Sequence, residues 1–166
     1  MIDAAGDTNR VDVSRLRENE TAYAVIHAVL PSHVERLLSG KSDAFGKYVG
    51  FGRISEPLAS CRMLMIYESH RSKNIVGDAR IHRLDFMTAD QIVKGLGDRF
   101  FLTEIELDSY SNGRRRPLLV FELHHFRRYI TPIALKRPLT MAGQMVSRSE
   151  FDRLAEIGTH HSSSNR

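Results

Sequence analysis

The side chains of this sequence best suited to chemistry are cations placed at turns. Lys41 follows Gly40 at the end of an amphipathic segment, and Lys47 comes shortly after. Ser69, His70, Arg71, Ser72 and Lys73 crowd one polar stretch, and Arg114, Arg115 and Arg116 stand in a row after Asn112-Gly113. Hydroxyls and cations in a turn suit contacts to phosphate oxygens. Arginine adds a planar fork that meets phosphate or guanine with two bonds. Tyr48 and Phe51 lie in the glycine-rich run after Lys41, and aromatic rings beside cations stack nucleobases. Each group also has a plainer reading. The basic turns are solvated surface, Lys41 is a lysine favoured by a helix C-terminus, and the rings pack in the core.

A desolvated lysine also acts as a base. That use needs a hydroxyl and a carboxylate beside it. Ser42 and either Glu68 or Glu122 are the available partners, and their spacing does not assemble the set, so no catalytic residue is assigned. His124 and His125 adjoin in an expected strand, so they should point to opposite faces and not share a metal. His160 and His161 fall in a polar tail. Cys61 is the only cysteine, which excludes an intrachain disulfide and a cysteine-based zinc cluster. There is no phosphate-cradling glycine loop and no serine-hydrolase elbow. No metal or cofactor is expected.

The elements that must position these groups follow from the hydrophobic pattern. Residues 22–30 form a continuous apolar run that suits a buried strand. Pro31 ends it, and Ser32 is placed to cap a helix over 33–39 with Val34, Leu37 and Leu38 on one face and Gly40 closing it. The run 41–52 suits a short, bent strand. Residues 61–67 and 75–86 read as strands, the second with Ile75, Gly77, Ala79, Ile81 and Arg83 on one side. Thr88 caps a helix reaching about Gly95. Thr103 with Glu106 makes a capping box that opens a helix ending near Asn112-Gly113. Residues 117–126 form a strong strand and 129–134 a weaker one. The stretch 139–145 is extended around Gly143. Ser147 with Glu150 makes a second capping box, with Phe151, Leu154 and Ile157 facing inward. Strands with short interleaved helices predict an α+β fold around a small mixed barrel.

At 166 residues the chain suits one domain with tails. Residues 1–19 read as a flexible arm, 20–157 as the folded unit and 158–166 as a disordered tail. No apolar run approaches the roughly 20 residues of a membrane span, and the start lacks a signal-peptide core. A reducing cytoplasm is therefore the expected compartment. The net charge of +4 permits an anionic partner without requiring one.

Taken in order, Gly40-Lys41, Tyr67-Glu68-Ser69, Ile75-Val76-Gly77-Asp78 and the run Leu102-Thr103, Glu106-Leu107, Tyr110 resemble the ASCH-type branch of the PUA-like superfamily. Pro138 to Gly143 resembles a mainly archaeal subfamily of unknown function within it. The Glu-x-Arg pair usual after the Gly-Lys is absent here. The resemblance implies a PUA-like barrel that binds RNA or a modified nucleotide, and the basic turns and ring put Lys41, Lys47, Tyr48, Ser69, Arg71, Lys73, Arg114, Arg115 and Arg116 on the expected binding face. A ribosomal or RNA-processing protein is the further partner it implies, and Lys41, Lys47, Arg71 and Lys73 are expected on one concave surface. The alternatives are a small amidohydrolase acting on a modified nucleoside, and a protein-interaction module on a ribonucleoprotein.

Overall fold

The structure, a computed structural model, describes residues 9–49, 53–113 and 116–160. Its elements in order are β1 (Ala24–Val29), α1 (Pro31–Leu38), β2 (Ala44–Lys47), α2 (Glu56–Ala59), β3 (Met63–Glu68), β4 (Asn74–Met87) and α3 (Ala89–Gly95). A 3-10 turn (Gly97–Arg99) leads to α4 (Glu104–Ser111), β5 (Leu118–Ala134), β6 (Gln144–Val146) and α5 (Arg148–Thr159). The strands form one six-stranded sheet in the order β2-β5-β4-β3-β1-β6. β1 runs parallel to β3, and the other pairings are antiparallel. The ladder does not close. The sheet nevertheless curls until Phe45 and Lys47 of β2 reach His27 of β1, so the expected α+β barrel stands as a curled, mixed sheet.

Two apolar clusters explain the curl. The concave side collects Val25, Leu64, Ala79, Leu119 and Phe121 with Val34 and Leu37 of α1 and Phe100 and Phe101. The convex side carries Ile26, Met65, Ile75, Tyr129 and Ile133 under Phe151 and Leu154 of α5. Burying each large apolar side chain contributes about 1.5–3 kcal/mol. A slip in the β4–β5 register between Ile75 and Gly77 breaks strict alternation. Ile75 therefore faces the convex cluster, whereas Ala79, expected on the same side, faces the concave one together with Val76.

Several local expectations need correction. Ser32 does not cap α1. The helix starts at Pro31, whose ring presets a helical φ and whose missing N–H costs nothing there, with Leu30 at the cap position. Residues 118–134 form one strand, because the polar stretch near His125 makes a bulge rather than a break. Ser147 accepts the Glu150 N–H, but Glu150 turns its carboxylate to the Ser14 N–H and to Arg153 instead of closing a box. The short α2, capped by Ser55 with Pro57 in its first turn, was hidden by its length.

The folded unit also extends further toward the N-terminus than its composition suggests. Val11 bridges Leu135, Asp12 lies against Arg137 and Arg153, and Leu16 packs on the concave cluster. At the other end α5 runs to Thr159, and the His160 carbonyl accepts the Thr131 hydroxyl.

Candidate nucleic-acid interface

The C-terminal end of β2 brings together three of the expected side chains, Lys47, Tyr48 and Arg116, from two distant parts of the sequence. Lys47 Nζ donates to the Met141 carbonyl at 2.7 Å and lies 3.1 Å from His27 Nδ1. Burial lowers the Lys47 ammonium from its usual range. Burial, then the Lys47 charge, pushes His27 down to about 3. The imidazole is therefore neutral at physiological pH, which lets Nδ1 accept a bond from the ammonium.

Gly143 explains how the loop before β6 closes on this pair. Its φ of +77° suits glycine, and a Cβ there would strike the His27 ring. The loop backbone can thus lie on His27 and aim the Met141 carbonyl at Lys47. The Pro138–Gly143 run seen in the sequence has this physical job.

Next to Lys47, the Tyr48 ring stacks on Tyr110 at 5.3 Å between centroids, with planes 26° apart. The Arg116 guanidinium stands 5.0 Å from the Tyr48 centroid. Tyr110 is 41% exposed and Met141 94% exposed. One rim therefore holds a cation, a stacked pair of rings, a second cation and an unburied methionine. Arg114, Arg115 and Phe51 lie outside the described residues. Tyr110 belongs to the resemblance motif but not to the expected binding face. Its position in the last turn of α4, on the polar side, was the available signal.

The other expected cations have different neighbours. Lys41 lines a cleft of about 380 Å³ with Arg36, Asp98, Thr103 and Glu104, floored by Ile92, Phe100 and Leu107. Behind it Glu106 closes the α4 capping box and also takes Arg36 at 2.5 Å and His33 at 3.1 Å, tying α4 to α1. The Arg36 bond, helped by the Thr103 N–H, holds Glu106 down at about 2. Ser42 is buried and donates to the Phe100 carbonyl. Glu122 is taken by Arg99, and Glu68 sits 3.6 Å from Arg71. The hydroxyl and both carboxylates considered as partners for Lys41 are thus engaged elsewhere.

Ser69 folds back on the Val29 carbonyl through its N–H and its hydroxyl. His70 and Lys73 take left-handed backbone, which turns the chain tightly between β3 and β4. Arg71 and Lys73 are exposed. Among the described residues, no hydrogen bond or ion pair joins this turn, the Lys41 cleft and the Lys47 rim.

His124 and His125 do not face opposite ways. His125 has φ 53°, and its ring lies 4.5 Å from that of His124, which in turn lies 5.2 Å from His82. Among the described residues no group of three His, Cys, Asp or Glu is arranged to hold a metal. No described helix is long and apolar enough to cross a membrane.

Solved structures share this architecture. An ASCH protein from Zymomonas mobilis matches with TM-score 0.66 and 16% identity, over 81% of this chain and 94% of that one. Its serine-to-alanine variant matches with TM-score 0.69 and 19% identity, over 83% and 98%. Its tyrosine-to-phenylalanine variant matches with TM-score 0.65 and 15% identity, over 81% and 97%. The fold is therefore ASCH-type and PUA-like. No curated protein matches the sequence significantly. Residues 22–148 match the family described as Domain of unknown function (DUF365).

Proposed function

The chain belongs to that family, and we propose that it binds single-stranded RNA or a modified nucleotide at the rim around Lys47. The observation that carries this reading is the Tyr48–Tyr110 stack with Arg116 on one side and Lys47 beside it. An exposed ring accepts the face of any unpaired base, a contact worth about 1–3 kcal/mol. Cations beside it hold the phosphates that flank that base. A base inside a duplex has no free face, so the rim favours unpaired strands. Arg114 and Arg115 adjoin Arg116, so the same stretch of sequence carries three cations.

The turn at Ser69, Arg71 and Lys73 and the cleft at Lys41 supply further phosphate contacts along the strand in this reading. A ribosomal or RNA-processing partner and a cytoplasmic setting fit the same role. The test is ultraviolet crosslinking to RNA in cells, with the crosslinked peptides identified by mass spectrometry. Stacked aromatic residues crosslink readily, so adducts on the peptides bearing Tyr48 and Tyr110 support the assignment. Adducts confined to other peptides, or recovery of no RNA, refute it.

A further inference from the structure

A second feature lies on the outer face of β4 and β5, away from the rim. Here the two strands slip against each other twice. Between the pairs Asp78–Arg127 and Arg80–His124, β5 carries one extra residue beside His125. Between the pairs Ile81–Leu123 and Arg83–Glu122, β4 carries the extra residue His82. These facing bulges bring His82, His124 and His125 into one row, with ring centroids 5.2 and 4.5 Å apart, and set Arg80 opposite His124. His125 reaches that place only through left-handed backbone at φ 53°, which is costly for a residue with a Cβ. Bulges commonly re-aim side chains at functional sites.

The charges around the row are arranged to repel cations. The flanking carboxylates are already engaged. Asp78 holds Arg127 and Tyr129, and Glu122 holds Arg99 with Arg83 nearby. Glu35 of α1 pairs with Arg128. On α5, packed over the Tyr129 end of β5, Glu150 pairs with Arg153 and Asp152 with Arg148, and Glu156 stands on the exposed side. Arg62 stands beside Met63, the β3 partner of Arg80. Among the described residues no ion pair joins a carboxylate to His82, His124 or His125. Partial burial and then the neighbours His125, His82 and Arg80 lower His124 from its ordinary value.

We infer that His82, His124, His125 and Arg80 form an anion site for a phosphate group, which tightens as the solution becomes more acidic. Imidazoles gain their charge as pH falls through the neutral range. A phosphate oxyanion then accepts N–H bonds from the ring nitrogens and from the guanidinium. A metal is the wrong occupant, because Arg80 adds a positive charge where a metal needs anionic or neutral ligands only. The inference does not rest on base stacking at the rim, so either can fail alone.

The test follows the imidazole resonances of the whole protein by NMR through a pH titration, with and without inorganic phosphate. Phosphate should raise the titration midpoints of all three histidines. Its affinity should improve by about tenfold from about pH 8 to about pH 5.5. A variant carrying His82→Gln, His124→Gln and His125→Asn should lose that gain while melting as the wild type does. Asparagine is chosen at 125 because it tolerates left-handed backbone. A parallel arm uses an abasic oligodeoxynucleotide, which offers phosphates without bases. If it shows the same pH-dependent gain, the site grips a nucleic-acid backbone. If only inorganic phosphate does, the site takes a small phosphate ligand. Midpoints unmoved by phosphate, or an affinity flat with pH, overturn the inference. So does stoichiometric zinc binding by the three rings without a phosphate effect.

Discussion

Lys47 on the edge strand β2 holds His27 on β1 at 3.1 Å, across a seam that the hydrogen-bond ladder leaves open. The pair is buried enough that both groups titrate below their ordinary values. A folded chain that excludes these protons must lose stability when the solution forces them on.

The sign follows from proton counting. Unfolded, His27 takes its proton near 6.5; folded, only near 3. Between these values the unfolded chain binds more protons, so stability rises with pH across that window and levels off above it. Each pH unit inside the window is worth about 1.4 kcal/mol. The lowered Lys47 value acts in the same direction at alkaline pH. Urea melts over a pH series should show the acid slope in the wild type. His27→Gln, which keeps an acceptor for Lys47, should flatten it. An unchanged slope would place the acid sensitivity elsewhere.

Gly77 allows close passage of β4 and β5. A Cβ there would collide with the Arg127 carbonyl and press on Leu38 of α1. Backbone cannot rotate aside as a side chain does. Gly77→Ala should therefore cost about 1–3 kcal/mol, read as a lower urea midpoint with an unchanged slope. A neutral substitution would show that the strands have room to part.

Asp78 is 1% exposed and holds both Arg127, at 2.6 Å, and the Tyr129 hydroxyl. Asp78→Ala leaves two donors without their acceptor and should cost about 3 kcal/mol. Tyr129→Phe removes one bond and should cost about 1 kcal/mol. Chemical denaturation of both variants checks the ratio. Equal costs would mean the carboxylate serves the tyrosine alone.

Much of this was legible in the residues. The cap at Thr88, the capping box at Thr103 and the glycine after α1 fixed where helices begin and end, because those signals are local. The apolar runs at 22–30 and 61–67 marked the buried strands Ala24–Val29 and Met63–Glu68 for the same reason. Lys47, Tyr48 and Arg116 were legible as cations and a ring, but Tyr110 and His27 were not. Tyr110 meets Tyr48 only through the packing of α4 beside β2, and His27 meets Lys47 only once the sheet curls. The histidine row was misread because strict alternation forbids it. Two bulges, set by the pairing of distant strands, create it. Glu150 likewise chose Ser14 and Arg153, partners no local motif could reveal.

If unpaired bases stack at the rim while nearby cations hold phosphates, stacking and charge must separate in one experiment. That experiment is the affinity of a short single-stranded RNA across a salt series for three proteins. Tyr110→Ala should weaken binding by about 1–3 kcal/mol with the salt slope unchanged, because stacking releases no counterions. The combined change of Arg114, Arg115 and Arg116 to Ala should weaken binding and also flatten the slope, by about 0.7 for each phosphate no longer neutralised. Thermal melts of both variants check that a lost affinity is not a lost fold. Wild-type affinity and slope retained in both variants would contradict base and phosphate binding here and leave the rim as solvated surface.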